Sequence, residues 1–235
     1  MYKGLLSSML LLINFMAYSQ EKVIYDANVE KRTVSSFQAI KVSDGINLYI
    51  SQGAEEEVAV SATDIAYRDK MKTIVENGEL KIYLEQGWNW KNKKMTAYVA
   101  VKSLNNLRAS GGSDIVIKGV LKSDKLNLGL TGGSDFSGQL SVTDLTIDQS
   151  GGSDVHVKGD AVNLKVDASG GSDFNGFELT AEYAIIQTSG GSDAGITVTK
   201  EMAAEASGGS DINYKGNPVI KYKSATGGGS VSKRG

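Results

Sequence analysis

The sequence predicts an all-β chain wound into a parallel β-helix of about 19–20 residues per coil, with an irregular β cap on its N-terminal side. Two observations carry this. Six copies of Ser/Thr-Gly-Gly-Ser-Asp begin at Ser110, Thr131, Ser150, Ser169, Ser189 and Ser207, at steps of 21, 19, 19, 20 and 18 residues. A degraded seventh begins at Thr226 and lacks the aspartate. A fixed period near twenty marks a solenoid, in which each repeat buries its apolar face only against its neighbours. The second observation is alternation around each copy. Leu107, Leu128, Ile147, Val166, Ile186 and Ala204 stand three residues before it. Ile115, Phe136, Val155, Phe174, Ala194 and Ile212 follow its aspartate, and the next column is mostly polar. Period two belongs to half-buried strands, and the lack of a sustained 3.6-residue stripe argues against a helical solenoid. The reading is therefore two short strands per coil, turned at a Gly-Gly corner where glycine supplies positive φ.

Along the chain, Gly4 to Tyr18 form a short apolar run after Lys3, and Ala17-Tyr18-Ser19 offers small residues at a cleavage site. Residues 1–19 thus read as a secretory signal peptide, too short for a transmembrane anchor. Residues 20–106 are expected to form an N-terminal β segment and the first coils, with a separate small β domain as the alternative. Phe37 to Val42, Ile46 to Ile50 and Glu57 to Ser61 alternate as strands. Thr63 to Met71 suit one or two helical turns, with Thr63 as N-cap and Asp64 in the first turn. Glu76-Asn77-Gly78-Glu79 is a strong hairpin signal, and Met95 to Val101 resumes strand character. Residues 107–235 form the regular repeat, continuous with what precedes.

Composition narrows the function classes. Gly at 28 and Pro at 1 suit a glycine-cornered β protein, and with no cysteine neither a disulfide nor a lipidated cysteine is available. Removing Lys3 with the leader takes the formal charge from −2 to −3, which argues against a nucleic-acid partner. No later segment is apolar for long enough to span a bilayer.

Phe37-Gln38-Ala39-Ile40-Lys41-Val42, then Asp44-Gly45-Ile46-Asn47-Leu48, then an Asn-Gly hairpin and serial Gly-Gly-Ser-Asp coils resemble the head GIN-domain family of auto-transporter adhesins. The resemblance covers nearly all of the chain after the leader. It implies an exported protein with a right-handed β-helical fold. It brings no catalytic residues to carry over, and it supports surface binding.

Two residue sets are candidate sites. Asp114, Asp135, Asp154, Asp173, Asp193 and Asp211 would form a row about 4.8 Å apart in an in-register stack. Neighbouring carboxylates would repel by about 0.9 kcal/mol at the dielectric of water and about 3.5 kcal/mol at an effective value of 20. Calcium takes oxygen ligands of this kind, so the row is a candidate metal edge; turn chemistry, with Ser and Asp bonding local backbone N–H groups, is the simpler reading. The second set is Trp88, Asn89, Trp90 and Lys91, where two indoles beside amide and ammonium groups suit stacking on sugar rings. The plainer reading has them covering an open end of the solenoid. His156, the single histidine, stands in the outward polar column, and with no cysteine a zinc site of the usual kind is excluded.

The sequence thus points to an exported, non-catalytic β-helical module of the envelope or surface that binds a polysaccharide or a cell-surface partner. One alternative is a polysaccharide lyase or glycosidase on a β-helix, which fold analogy alone does not license. Another is a calcium-stabilised spacer. No cofactor is expected beyond that calcium.

Overall fold

In the computed structural model, residues 28–85 and 94–235 are described. The segment read as a leader and the tryptophan segment both fall outside them. The described chain forms a parallel β-solenoid of about seven turns around one continuous apolar core.

Strands β1 (Glu30–Arg32), β2 (Ala39–Val42), β3 (Asn47–Gln52) and β4 (Glu57–Ala62) lead to a single helical turn, α1 (Ile65–Arg68). The cap of α1 is Asp64 rather than Thr63: its carboxylate accepts the Ala66 N–H at 2.9 Å. After it come β5 (Met71–Glu76), β6 (Glu79–Leu84), β7 (Met95–Val101) and β8 (Asn106–Ala109). The predicted hairpin joins β5 and β6, with Asn77 at φ 52° and Gly78 at φ 76°, as a two-residue turn between twisted strands requires.

The repeats are β9 (Ile115–Thr131), β10 (Phe136–Ser150), β11 (Asp154–Ser169), β12 (Asp173–Thr188) and β13 (Asp193–Ala206). Each spans nearly a whole coil, so the expectation of two short strands per coil is corrected to one long, bent strand. Hydrogen bonding continues around the bends because neighbouring coils bend together. One bend lies where the register shifts, between Ser137 and Gln139 and between His156 and Lys158. Another lies at paired outward residues, Thr143-Asp144 and Val162-Asn163, where the inward alternation changes phase. Gly-Gly makes the third. The columns predicted from sequence stack in register, Phe136 on Val155, Leu145 on Leu164 and Ile147 on Val166, all buried.

Core volume is balanced within the coil. After each aspartate, two inward residues at i and i+2 share one space. Where the first is Phe136 or Phe174, the second is Gly138 or Gly176. The remaining coils pair Ile115 with Ile117, Val155 with Val157, Ala194 with Ile196 and Ile212 with Tyr214. A Cβ at Gly176 would lie 2.6 Å from the Phe174 ring, so the ring fills the space that a side chain would take.

The N-terminal coils are out of chain order. The coil made by β2 and β3 lies between the coil of β6 and β7 and that of β8 and β9. Outside β6 and β7, β5 and β4 add antiparallel, and β1 follows β4. This end of the stack is therefore bounded by antiparallel strands, with β5 and β1 at its edges. At the other end, β14 (Asp211–Lys215) and β13 carry the last rungs, β16 (Ser230–Lys233) on β14 and β15 (Val219–Ala225) on β13.

Candidate binding surface

The Gly-Gly-Ser-Asp corner divides its residues by direction. The first glycine of each copy has φ between 65° and 78°, and a Cβ there would press on the backbone of the preceding coil, as Gly151 on the Gly132 nitrogen at 3.2 Å. The second glycine faces open space at Gly112, Gly133 and Gly152. The serine turns inward: Ser113, Ser134, Ser153, Ser172, Ser192 and Ser210 are all fully buried. Their hydroxyls tie coils together, with Ser134 Oγ accepting the Ser113 N–H at 3.1 Å and Ser192 Oγ the Ser172 N–H at 3.2 Å. Within one corner, Ser210 Oγ donates to Ser207 O at 2.8 Å. Each serine is thus a buried polar group satisfied by the corner backbone or its neighbour, apart from the Ser113 hydroxyl, which has no partner.

The aspartates point outward in a row. Asp154, Asp173, Asp193 and Asp211 are register partners in successive coils. Asp135 Oδ1 accepts the Asp154 N–H at 3.2 Å, Asp193 Oδ1 accepts the Asp211 N–H at 3.1 Å, and the Ser230 hydroxyl donates to Asp211 at 2.6 Å. Backbone N–H groups of the next coil therefore serve part of the row. Among the described residues no group of three or more His, Cys, Asp or Glu side chains is placed to hold a metal ion.

Partial burial, aided by the charge of Asp135, raises the Asp114 carboxyl above its ordinary value. A group raised in the folded state binds its proton more tightly there than in the unfolded chain. It penalises folding above that window, and the penalty fades as pH falls through it. Asp114→Asn should therefore stabilise the fold at neutral pH, by no more than about 1 kcal/mol after solvent screening. Urea melts should show the gain shrinking to nothing below the carboxylate range; a gain that is constant with pH would contradict the charge origin.

Gly45-Ile46-Asn47 is the corner of the preceding coil. The Leu48 N–H donates to Asp114 O at 2.7 Å, and Leu48 pairs with Ile115, which sets Gly45, Ile46 and Asn47 against Gly112, Ser113 and Asp114. Ile46 is fully buried in the serine position, and Asp44, at φ 65°, takes the place of the first glycine. Asp44 Oδ2 accepts the Leu84 N–H at 2.9 Å, so this carboxylate ties the corner to the coil outside it.

Beside the register-shifted bend runs a groove of about 440 Å³ that the sequence did not reveal. Two outward rows flank it: Ser137 and His156 across two coils, and Gln139, Lys158 and Glu178 across three. Gly119, where an added Cβ would meet nothing within 4 Å, is also part of its lining. Amide, imidazole, ammonium and carboxylate groups at coil spacing form a set of donors and acceptors suited to hydroxyl-rich ligands. Glu178 is the single carboxylate of its lining, whereas glycoside hydrolysis usually requires two flanking the scissile bond. His156 is exposed there, as the outward column predicts. Trp88, Asn89, Trp90 and Lys91 lie outside the described residues.

The fold and corner define a repeat-built β-solenoid whose variable chemistry is all on its outer face. The chain belongs to the family described as "Putative auto-transporter adhesin, head GIN domain", whose model matches residues 36–218. No curated protein matches the chain. Among solved structures it is similar to a "putative adhesin" of Bacteroides fragilis, at 22% identity and TM-score 0.81, over 88% of this chain and 96% of that one. A "putative lipid binding protein" of Parabacteroides distasonis matches at 20% identity and TM-score 0.68, over 89% and 98%. A "putative adhesin" of Parabacteroides merdae matches at 19% and 0.70, over 88% and 96%. At these identities the likeness establishes the fold. No helix among the described residues is long and apolar enough to cross a membrane.

Proposed function

We propose that the protein is an exported, non-catalytic surface-binding module of the cell envelope whose solenoid face recognises polysaccharide. The observation that carries this reading is the polar groove along Gln139, Lys158 and Glu178, set on an adhesin-family scaffold. The leader at residues 1–19 supports export. The coils from β2 to β16 act as one folding unit, and the aspartate row serves the corners, so melting should be the same in EDTA and in calcium. Trp88 and Trp90 supply a second contact.

Affinity electrophoresis of residues 20–235 against a polysaccharide panel tests this. Gln139→Ala with Lys158→Ala should weaken a responsive glycan by about tenfold, as loss of a central polar contact does. Trp88→Ala with Trp90→Ala should weaken it independently. Unchanged retardation in both double variants would remove the glycan reading. Soluble product released from any polysaccharide, and abolished by Glu178→Gln, would instead make the protein an enzyme.

A further inference from the structure

The final rung of the solenoid differs in charge from the rest of the chain. Residues 212–235 contain Lys215, Lys221, Lys223, Lys233 and Arg234 and no acidic residue, in a protein whose formal charge is −2. Among the described residues only Lys221 of these five pairs with a carboxylate, Glu201 at 3.1 Å. Lys215 and Arg234 are held against the Phe177 ring, at 5.0 and 5.8 Å from its centre, and Arg234 Nε donates to Asn213 at 3.1 Å. Lys233 donates to Asn217 at 2.5 Å. Lys215, Lys233 and Arg234 are therefore positioned by neutral partners that leave their charge uncompensated.

Apolar side chains lie among them. Val219 is 59% exposed, Tyr222 54% and Ile220 37%, on β15 at the edge of the stack. Beneath β15, the inward column that holds Ala204 continues as the exposed Lys223. Among the described residues β15 pairs with β13 alone and β16 with β14 alone, so this end presents open backbone edges.

We propose that this end of the rod docks on an anionic phospholipid surface. Lysines and Arg234 meet headgroup phosphates, each cation near such a surface adding attraction that falls off within a Debye length. Val219, Ile220 and Tyr222 enter the acyl boundary, where a tyrosine ring suits both environments. The free N–H groups of the edge face headgroup oxygens and water, so the contact is shallow and leaves the groove on the side of the rod accessible. A second copy of this end is disfavoured as the occupant, because its own cations would repel. An acidic strand added to the edge would match the charge but would leave the outward Val219 and Tyr222 side chains uncovered.

The test is co-sedimentation of residues 20–235 with vesicles of phosphatidylglycerol in phosphatidylcholine, against phosphatidylcholine alone. Binding should require the anionic lipid and weaken as salt rises. Lys223→Glu with Lys233→Glu should weaken it at least about 30-fold, since two cations are lost and reversed. Val219→Ser with Tyr222→Ser keeps every charge and should weaken it about tenfold or more. Thermal melts check that these exposed changes leave the fold intact. Equal binding to both vesicles, no binding to either, or parental binding by either double variant would overturn the proposal. So would capture by soluble polyglutamate that the Val219→Ser/Tyr222→Ser variant retains in full, which would assign the end to an acidic chain.

Discussion

Gly159→Ala should destabilise the fold by about 3 kcal/mol or more. Gly159 has φ 112°, and a Cβ there would be driven into the carbonyl oxygen of Leu140 in the adjoining coil. The obstacle is backbone hydrogen-bonded on both sides, so it has nowhere to move. Gly152→Ala provides the calibration: at φ 74° with open space around it, it should cost only the left-handed term, about 1–2 kcal/mol. Gly151→Ala, with its Cβ 3.2 Å from the Gly132 nitrogen, should fall between them. Urea midpoints of the three variants give the order. Equal losses at 159 and 152 would mean that the Leu140 carbonyl yields to the added methyl, so that coil-to-coil contact is loose at the bend.

The second large effect is a coupling. Gly176→Val should cost about 2–3 kcal/mol, because its branches compete with the Phe174 ring for one space. Phe174→Val alone should also destabilise, by leaving a cavity where a 2% exposed ring had been. Together the two changes reproduce the Val155 and Val157 pair of the neighbouring coil, and the double variant should lie within about 1.5 kcal/mol of the parent. Chemical denaturation of the four proteins closes the cycle. If the two losses simply added, the shared-volume account of the core would fail.

Much of this architecture is legible in the residues. The period sets the coil length, and the columns through Leu128, Ile147 and Val166 name the core because strand side chains alternate strictly. Missing from that reading was the direction of the corner serines. A serine looks like surface chemistry, yet Ser113 is two residues before Ile115 and so shares its inward face, a signal that was present and unused. The Phe-x-Gly pairing was equally open to inspection. By contrast, the order of the N-terminal coils depends on pairings between β2, β6 and β8 that no local pattern encodes. The groove arises from a register shift that sets Lys158 beside Glu178, and a shift of this kind is decided by stacking rather than by either coil alone. The terminal basic end could be counted from the sequence; its apolar members became meaningful only once β15 was seen at an edge.

Placing the β2–β3 coil inside the stack also determines how the rod answers to tension. A chain drawn from its N-terminal side sheds β1 from β4 one bond pair at a time, but the next element is held on both faces by parallel neighbours. Extracting it requires its bonds to β6, β7, β8 and β9 to yield together in shear, whereas an outermost coil would have unzipped. The out-of-order winding thus acts as a mechanical stop at the place where load along the chain first reaches the solenoid.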